Sequence, residues 1–180
     1  MYYRVQNMNK LPLPQLLDEK FQTLPNVCIY RTDSDSVLDL RHRVLRPNSP
    51  ITEARFDGDE ERNARHYAIM TGEPGKELTA ICCLSLYLRN IQNNRAWQLR
   101  GMATDARYQR QGYGGLLLRA SLLSTAQEKS IGFFWCNARV SAEDFYVSHG
   151  WKIIKPRKVF EIPGVGNHVK MTCWASTTAS

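Results

Sequence analysis

Three glycines between a strand-like run and a leucine-rich segment constrain this chain more than any other feature. The stretch begins Leu99-Arg100-Gly101-Met102-Ala103-Thr104 and turns through Asp105-Ala106-Arg107-Tyr108. It continues Gln109-Arg110-Gln111-Gly112-Tyr113-Gly114-Gly115 into Leu116-Leu117-Leu118-Arg119-Ala120-Ser121-Leu122-Leu123. Leu116, Ala120 and Leu123 recur at helical spacing, and Leu118 and Leu122 widen the apolar stripe. A helix is therefore expected after Gly115, running through Ala126 and ending near Lys129-Ser130. The first amides of a helix have no intrahelical partner, and the helix dipole adds partial positive charge there. Gly112, Gly114 and Gly115 carry no side chain, so a phosphate can come close to the backbone. Arg110 flanks the loop and adds a charge. The junction reads as an anion site.

Two common phosphate motifs do not fit. A P-loop needs Lys and then Ser or Thr after its last glycine, and Leu116 stands there. The dinucleotide fingerprint needs a third small residue where Leu117 lies, and these glycines sit mid-chain. What remains is Gln109-x-x-Gly112-x-Gly114.

That hexapeptide, just after a strand ending Met102-Ala103-Thr104-Asp105, resembles the acyl-CoA signature of the GNAT N-acetyltransferases. Downstream, Cys136-Asn137-Ala138-Arg139, Ala142, Phe145-Tyr146 and Gly150-Trp151 resemble the closing strand and helix of that family. Upstream, Leu40 to Pro47 and Phe56-Asp57-Gly58-Asp59 resemble its first helix and the turn that follows. The resemblance covers Val27 to the C-terminus. It implies one α/β (α+β) domain over residues 27–176, preceded by an extension over residues 1–26. The sheet would be mixed, mostly antiparallel and twisted, with about six to seven strands and helices on both faces.

The resemblance also implies a chemistry. Acetyl-CoA would be the co-substrate, its pyrophosphate held by Gln109, Arg110, Gln111, Gly112, Tyr113, Gly114 and Gly115. Met102, Ala103 and Thr104 would offer backbone groups to the pantetheine arm, in the manner of an added strand. An amide near Met102 or Ala103 would polarise the thioester carbonyl. Asn137 would contact the pantetheine or adenine side, or cap the next turn. Tyr146 would be the general acid, since a phenol of pKa near 10 can donate to a thiolate of pKa about 8.5; otherwise it packs or hydrogen-bonds the sulfur. Attack would be direct, so no cysteine needs a catalytic role.

The sequence departs from the family pattern at the base. Many relatives carry a Glu on the fourth strand, where Gln98 and Arg100 stand here. Asp59, His66, Glu143 and His168 remain as candidates, and a water chain would remove the need for one. Ala106 replaces a common proline, and Trp151 a common phenylalanine. The function implied is transfer of acetyl from acetyl-CoA to a primary amine on a small metabolite, an antibiotic, or a protein or peptide. The alternative is a non-catalytic acyl-CoA-binding or sensing module, for which Gln98 speaks. Asp57, Asp59, Glu60 and Glu61 hint at a cationic acceptor.

The formal net charge is +7. It suits nucleic acid, an anionic membrane surface or a polyanionic cofactor. No Lys/Arg tract marks a nucleic-acid arm, so neither nucleic acid nor membrane is expected as a partner. The five cysteines are Cys28, Cys82, Cys83, Cys136 and Cys173. They are odd in number, lack metal spacing and read as reduced core residues. His42, His66, His149 and His168 form no ligand pair, so no metal is expected. Met1 to Asn9 has no apolar signal core, and the apolar runs are too short to span a bilayer. The protein is expected to be soluble and cytoplasmic.

Elsewhere, Val27 to Tyr30 reads as a strand, and Ser34 or Asp35 as the cap of a helix that stops before Pro47. Arg41, Arg43 and Arg46 read as a solvated face. His66–Met70 and Leu78–Leu88 read as a hairpin across Thr71-Gly72-Glu73-Pro74-Gly75. Arg95–Thr104 follows as a strand, with Gly101 a candidate bulge. Ile131–Cys136 reads as a buried strand and Ser141–Ser148 as a helix capped by Ser141. Trp151–Lys155, prolonged by Val159–Ile162, and Lys170–Trp174 are the last strands, joined by a Pro163–His168 loop. Ser176–Ser180 reads as disordered. Residues 1–26 would pack on the body or on a second subunit, which leaves a homodimer open.

Overall fold

The computed structural model describes residues 9–10, 28–72 and 78–175. The expected N-terminal extension, the Val27 start of the first strand, Glu73-Pro74-Gly75 of the connector and Ser176–Ser180 lie largely or wholly outside these residues. The chain is α/β, with a mostly antiparallel sheet of nine strands among the described residues rather than about six to seven. The additional strands are the two-residue β1 (Asn9–Lys10), too short to leave a periodic signal, and Val159–Ile162, which stands apart from β7 (Lys152–Ile153) instead of prolonging it.

Two compact units make up the chain, residues 1–85 with 101–121 and residues 86–100 with 122–180. In the first unit, β1, β2 (Cys28–Thr32), β3 (Arg65–Thr71) and β4 (Thr79–Ile91) are neighbours in that order. The antiparallel β2–β3 register sets Cys28 opposite Met70 and Thr32 opposite His66. Helix α1 (Asp35–Leu45) places Val37 and Leu40 among Ala68, Met70, Ala80, Cys83 and Ala103. Burying one such leucine stabilises the fold by about 1.5–3 kcal/mol. The α1 cap differs from expectation. Ser34 makes no cap bond and donates instead to Glu60 Oε1 at 2.7 Å. Asp33 Oδ1 takes over, accepting from the Ser36 amide at 2.9 Å and the Ser36 hydroxyl at 2.6 Å.

In the second unit the order is β4, β5 (Asn94–Thr104), β6 (Phe133–Arg139), β9 (Gly166–Trp174) and β7, with β8 (Val159–Ile162) also paired to β9. Gln92 and Asn93 make the β4–β5 turn with φ of 47° and 63°. Positive φ at both central residues is the signature of a tight hairpin turn whose twist matches the strands. The parallel β5–β6 ladder sets Trp97 opposite Phe134 and Leu99 opposite Cys136, and ends there. β5 continues through Gly101 to Thr104.

Helix α2 (Tyr113–Lys129) starts earlier than its leucines indicate, with Gly114 and Gly115 inside its first turn. Ser130, at φ 53°, ends it. A 3-10 turn, Val140–Ala142, precedes α3 (Glu143–Ser148), and neither has a side-chain cap, so Ser141 does not play that part. Gly150, at φ 82°, closes α3 as expected. β7 and β8 are separate strands on β9 rather than one prolonged strand, with the cis Lys155–Pro156 bond between them. β9 begins at Gly166, so His168 lies in a strand and not in a loop.

Candidate active site

The strand end comes first. Gly101 has φ 63°, a left-handed backbone that breaks the regular ladder. Its carbonyl accepts from the Cys83 thiol at 3.6 Å, and the Ala103 amide lies within hydrogen-bonding reach of the same sulfur. The Ala103 amide, one of the two expected to polarise a carbonyl, thus lies against the Cys83 sulfur. Burial pushes the Cys82 and Cys83 thiols up to about 12, so neither is a nucleophile. The Thr104 hydroxyl meets Cys82 Sγ at 3.2 Å, and its carbonyl accepts from Gln109 Nε2 at 3.0 Å. Thr104 and Gln109 are thus bonded to each other across the turn.

Asp105 anchors that turn. Its amide donates to the Ile81 carbonyl at 2.9 Å. Its carboxylate accepts from the Arg107 side chain and amide and from Arg43 Nη1, at 2.8–3.1 Å. These bonds, those from Arg107 foremost, hold the acid well below the usual carboxylate range. A 3-10 turn, Ala106–Tyr108, leads to Gln109, and Gln111 Nε2 donates back to the Arg107 carbonyl at 2.8 Å. Arg110 and Gly112 have φ of 62° and 88°. The first helical bond runs from the Leu116 amide to the Gly112 carbonyl at 3.0 Å. The amides of Tyr113, Gly114 and Gly115 belong to the first turn of α2, where a helix offers donors to an anion. Gln109, Arg110, Gln111 and Gly112 are exposed, and Tyr113 packs edge-on against Tyr108 with ring centroids 5.9 Å apart.

The other unit holds Asn137 and Tyr146. Asn137 lies in β6 opposite Lys170. Its Oδ1 is buried and has no hydrogen-bond partner among the described residues, so it does not cap the next turn. Such an acceptor is costly to leave unmet and suits a ligand donor. Tyr146 in α3 is buried, its ring edge-on to Phe145 and to Trp151, both at 5.3 Å. Burial raises its phenol well above the ordinary value, with nearby Cys136 adding to the shift. The group stays protonated at neutral pH and has a proton to donate.

A family model for the acetyltransferase (GNAT) domain matches residues 86–173. The uncharacterized N-acetyltransferase YitI of Bacillus subtilis (strain 168) is 30% identical over 137 residues, which are 76% of this chain and 89% of YitI. The chain belongs to the GNAT superfamily. This GNAT chain also matches solved structures in fold. The NatC complex bound to Gag peptide and CoA aligns with TM-score 0.64 and 13% identity, over 83% of this chain and 99% of that one. Escherichia coli ElaA aligns with TM-score 0.60 and 17% identity, over 92% and 98%. The GNAT chain is an acyltransferase enzyme whose family moves acetyl groups to amines.

Sequence reasoning missed a buried polar cluster in this GNAT chain. Arg41 is not on a solvated face; its exposure is 0%. Arg41 Nη1 donates to Asp59 Oδ2 at 2.7 Å, and Arg41 Nη2 donates to the Ser85 hydroxyl. His66 Nε2 donates to the Asp59 carbonyl at 3.0 Å, so Nδ1 accepts from Ser85 at 2.7 Å. A signal was present: Arg41 follows Val37 by four residues and so belongs to the apolar stripe of α1.

The cluster accounts for two of the base candidates. Asp59 and His66 are buried and committed to it. Glu143 accepts from Arg157 Nη2 at 2.9 Å, and buried His168 donates from Nδ1 to the Gly166 carbonyl at 2.7 Å. The hint of a cationic acceptor weakens too, because Asp59 pairs with Arg41 and Glu60 with Arg55. All five cysteines are free. No metal-binding group occurs among the described residues, and none of the helices there is long and apolar enough to cross a membrane.

Proposed function

We propose that this GNAT chain transfers the acetyl group of acetyl-CoA directly to a primary amine. The observation that carries this reading is the loop Gln109–Gly115. It opens α2 behind the Gly101 bulge, with two residues at positive φ and three glycines that admit a phosphate. The first-turn amides of α2, with Arg110, would hold the pyrophosphate, and the backbone of Met102 to Thr104 would hold the arm. In the other unit, Asn137 Oδ1, without a partner among the described residues, offers an acceptor for a ligand amide.

The amine must attack as the free base. None of the four candidate bases is both unpaired and exposed, so the proton leaves through water or is already absent from the acceptor. An amide near Met102 or Ala103 would face the oxygen on which charge develops. Tyr146 would give its phenol proton to the departing thiolate and regain one from water; burial keeps the phenol protonated until then.

Calorimetry with acetyl-CoA, followed by free-thiol release over a panel of amines, tests this. Binding with release on one class of amine is the expected result. Binding without release on any amine favours the sensing reading, and no binding overturns the role of the loop. In the same assay, Tyr146→Phe should lower kcat by roughly 100-fold with acetyl-CoA affinity nearly unchanged. Equal loss of both would remove the acid role.

A further inference from the structure

The buried cluster touches the proposed reaction at Gly101. A side-chain carbon added at Gly101 would lie 2.7 Å from Phe56 Cε2 and 2.8 Å from Arg41 Nε. The guanidinium carbon of Arg41 sits 4.5 Å from the Phe56 ring centroid, so ring and guanidinium make one platform beneath the bulge. Neither part is free to yield. Arg41 is tied to Asp59, Ser85 and the Ala54 carbonyl, and lies 3.5 Å from His66 Nδ1. The Phe56 amide donates to the same Asp59 Oδ2 at 2.8 Å, which fixes the turn carrying the ring.

We propose that Arg41, backed by Phe56, is a positioning residue for acetyl transfer: its guanidinium holds Gly101 left-handed and so aims the backbone of Met102 and Ala103. This inference rests on the acetyl-transfer reading. A donor to developing charge works only if it is in place beforehand, and a misplacement of about 1 Å costs on the order of 100-fold in rate. A planar guanidinium, held through its Nη1 and Nη2 donors, offers a flat surface that lysine cannot copy.

The test compares wild type with Arg41→Lys, Phe56→Leu and Gly101→Ala. Phe56→Leu keeps the ion pair, so it carries the test if Arg41→Lys does not fold. In folded variants, kcat should fall by roughly 10- to 100-fold, and the affinity for acetyl-CoA by clearly less, because only the arm and not the pyrophosphate seat is disturbed. The 15N amide signals of Met102 and Ala103 should shift, and those of Gly112 to Gly115 should stay. Unchanged kcat per folded molecule, or an affinity loss as large as the loss in kcat, overturns the proposal. If wild type releases thiol with no amine, the acetyl-transfer reading fails on its own. The platform is then judged by the amide signals, and unmoved Met102 and Ala103 signals in both Phe56→Leu and Gly101→Ala overturn it.

Discussion

His66 shows how one buried side chain ties the fold to pH. Burial lowers its pKa from the ordinary 6.5, and the Arg41 charge adds to that, against the opposing bond to the Asp59 carbonyl. The folded chain therefore keeps His66 neutral while the unfolded chain takes up a proton as pH drops below 6.5. The stabilisation is fully present above that pH and is lost as pH falls from 6.5 through the folded value, at up to about 1.4 kcal/mol per pH unit. Urea midpoints at pH 7.5, 6.5 and 5.5 should fall more steeply for wild type than for His66→Gln. Parallel slopes would show that the ring titrates freely. Single residues were also the least legible part of the sequence. Arg41, flanked by Arg43 and Arg46, reads as one of a solvated trio, because the chain does not show that Asp59, His66 and Ser85 will surround it. The lone Gly101 was legible as a bulge, but its reason, the platform of Arg41 and Phe56, lies far away in sequence.

At the scale of elements, the loop before α2 was the most legible part, because local chemistry alone specifies it. Glycines mark the positive φ, and the leucine stripe marks the helix. Its start was read late because Tyr113, Gly114 and Gly115 carry no leucine periodicity. The caps of α1 and α3 were misread because several adjacent polar residues could serve, and tertiary partners decide among them. Ser34 is drawn off by Glu60, and Asp33 replaces it. The split between β7 and β8 depends on pairing with β9, which only the folded sheet supplies. The loop also gives a direct prediction. Gly112 sits at φ 88°, where a side chain is strained, and next to the amides that would meet a phosphate. Gly112→Ala should weaken acetyl-CoA binding by roughly tenfold, read by calorimetry, with a small change in melting temperature.

For the whole molecule, the thiols sort by depth. Cys28 and Cys173 are half-buried, whereas Cys82, Cys83 and Cys136 are buried, and burial raises the pKa of each of these three. A disulfide reagent at pH 8 should modify at most two thiols in the native protein and all five in guanidinium. Faster modification of the other three would mean that the core opens locally. The overall plan, strands and helices in GNAT order, was legible from the glycine loop and the Phe145-Tyr146 and Gly150 spacing together. The strand count was not, since β1 and the separation of β8 from β7 depend on pairing.

The bonds that shape the loop run within the protein: Gln109 to Thr104, Gln111 to Arg107, and Asp105 to Arg43, Arg107 and Ile81. As the proposed seat of acetyl-CoA, a loop built this way would behave as a mould rather than a closing hand. Little affinity would be spent on ordering the backbone, so a donor would be accepted or refused by fit. Such a seat would gain nothing from waiting for a second substrate, which would free the amine side to vary without re-tuning the donor side.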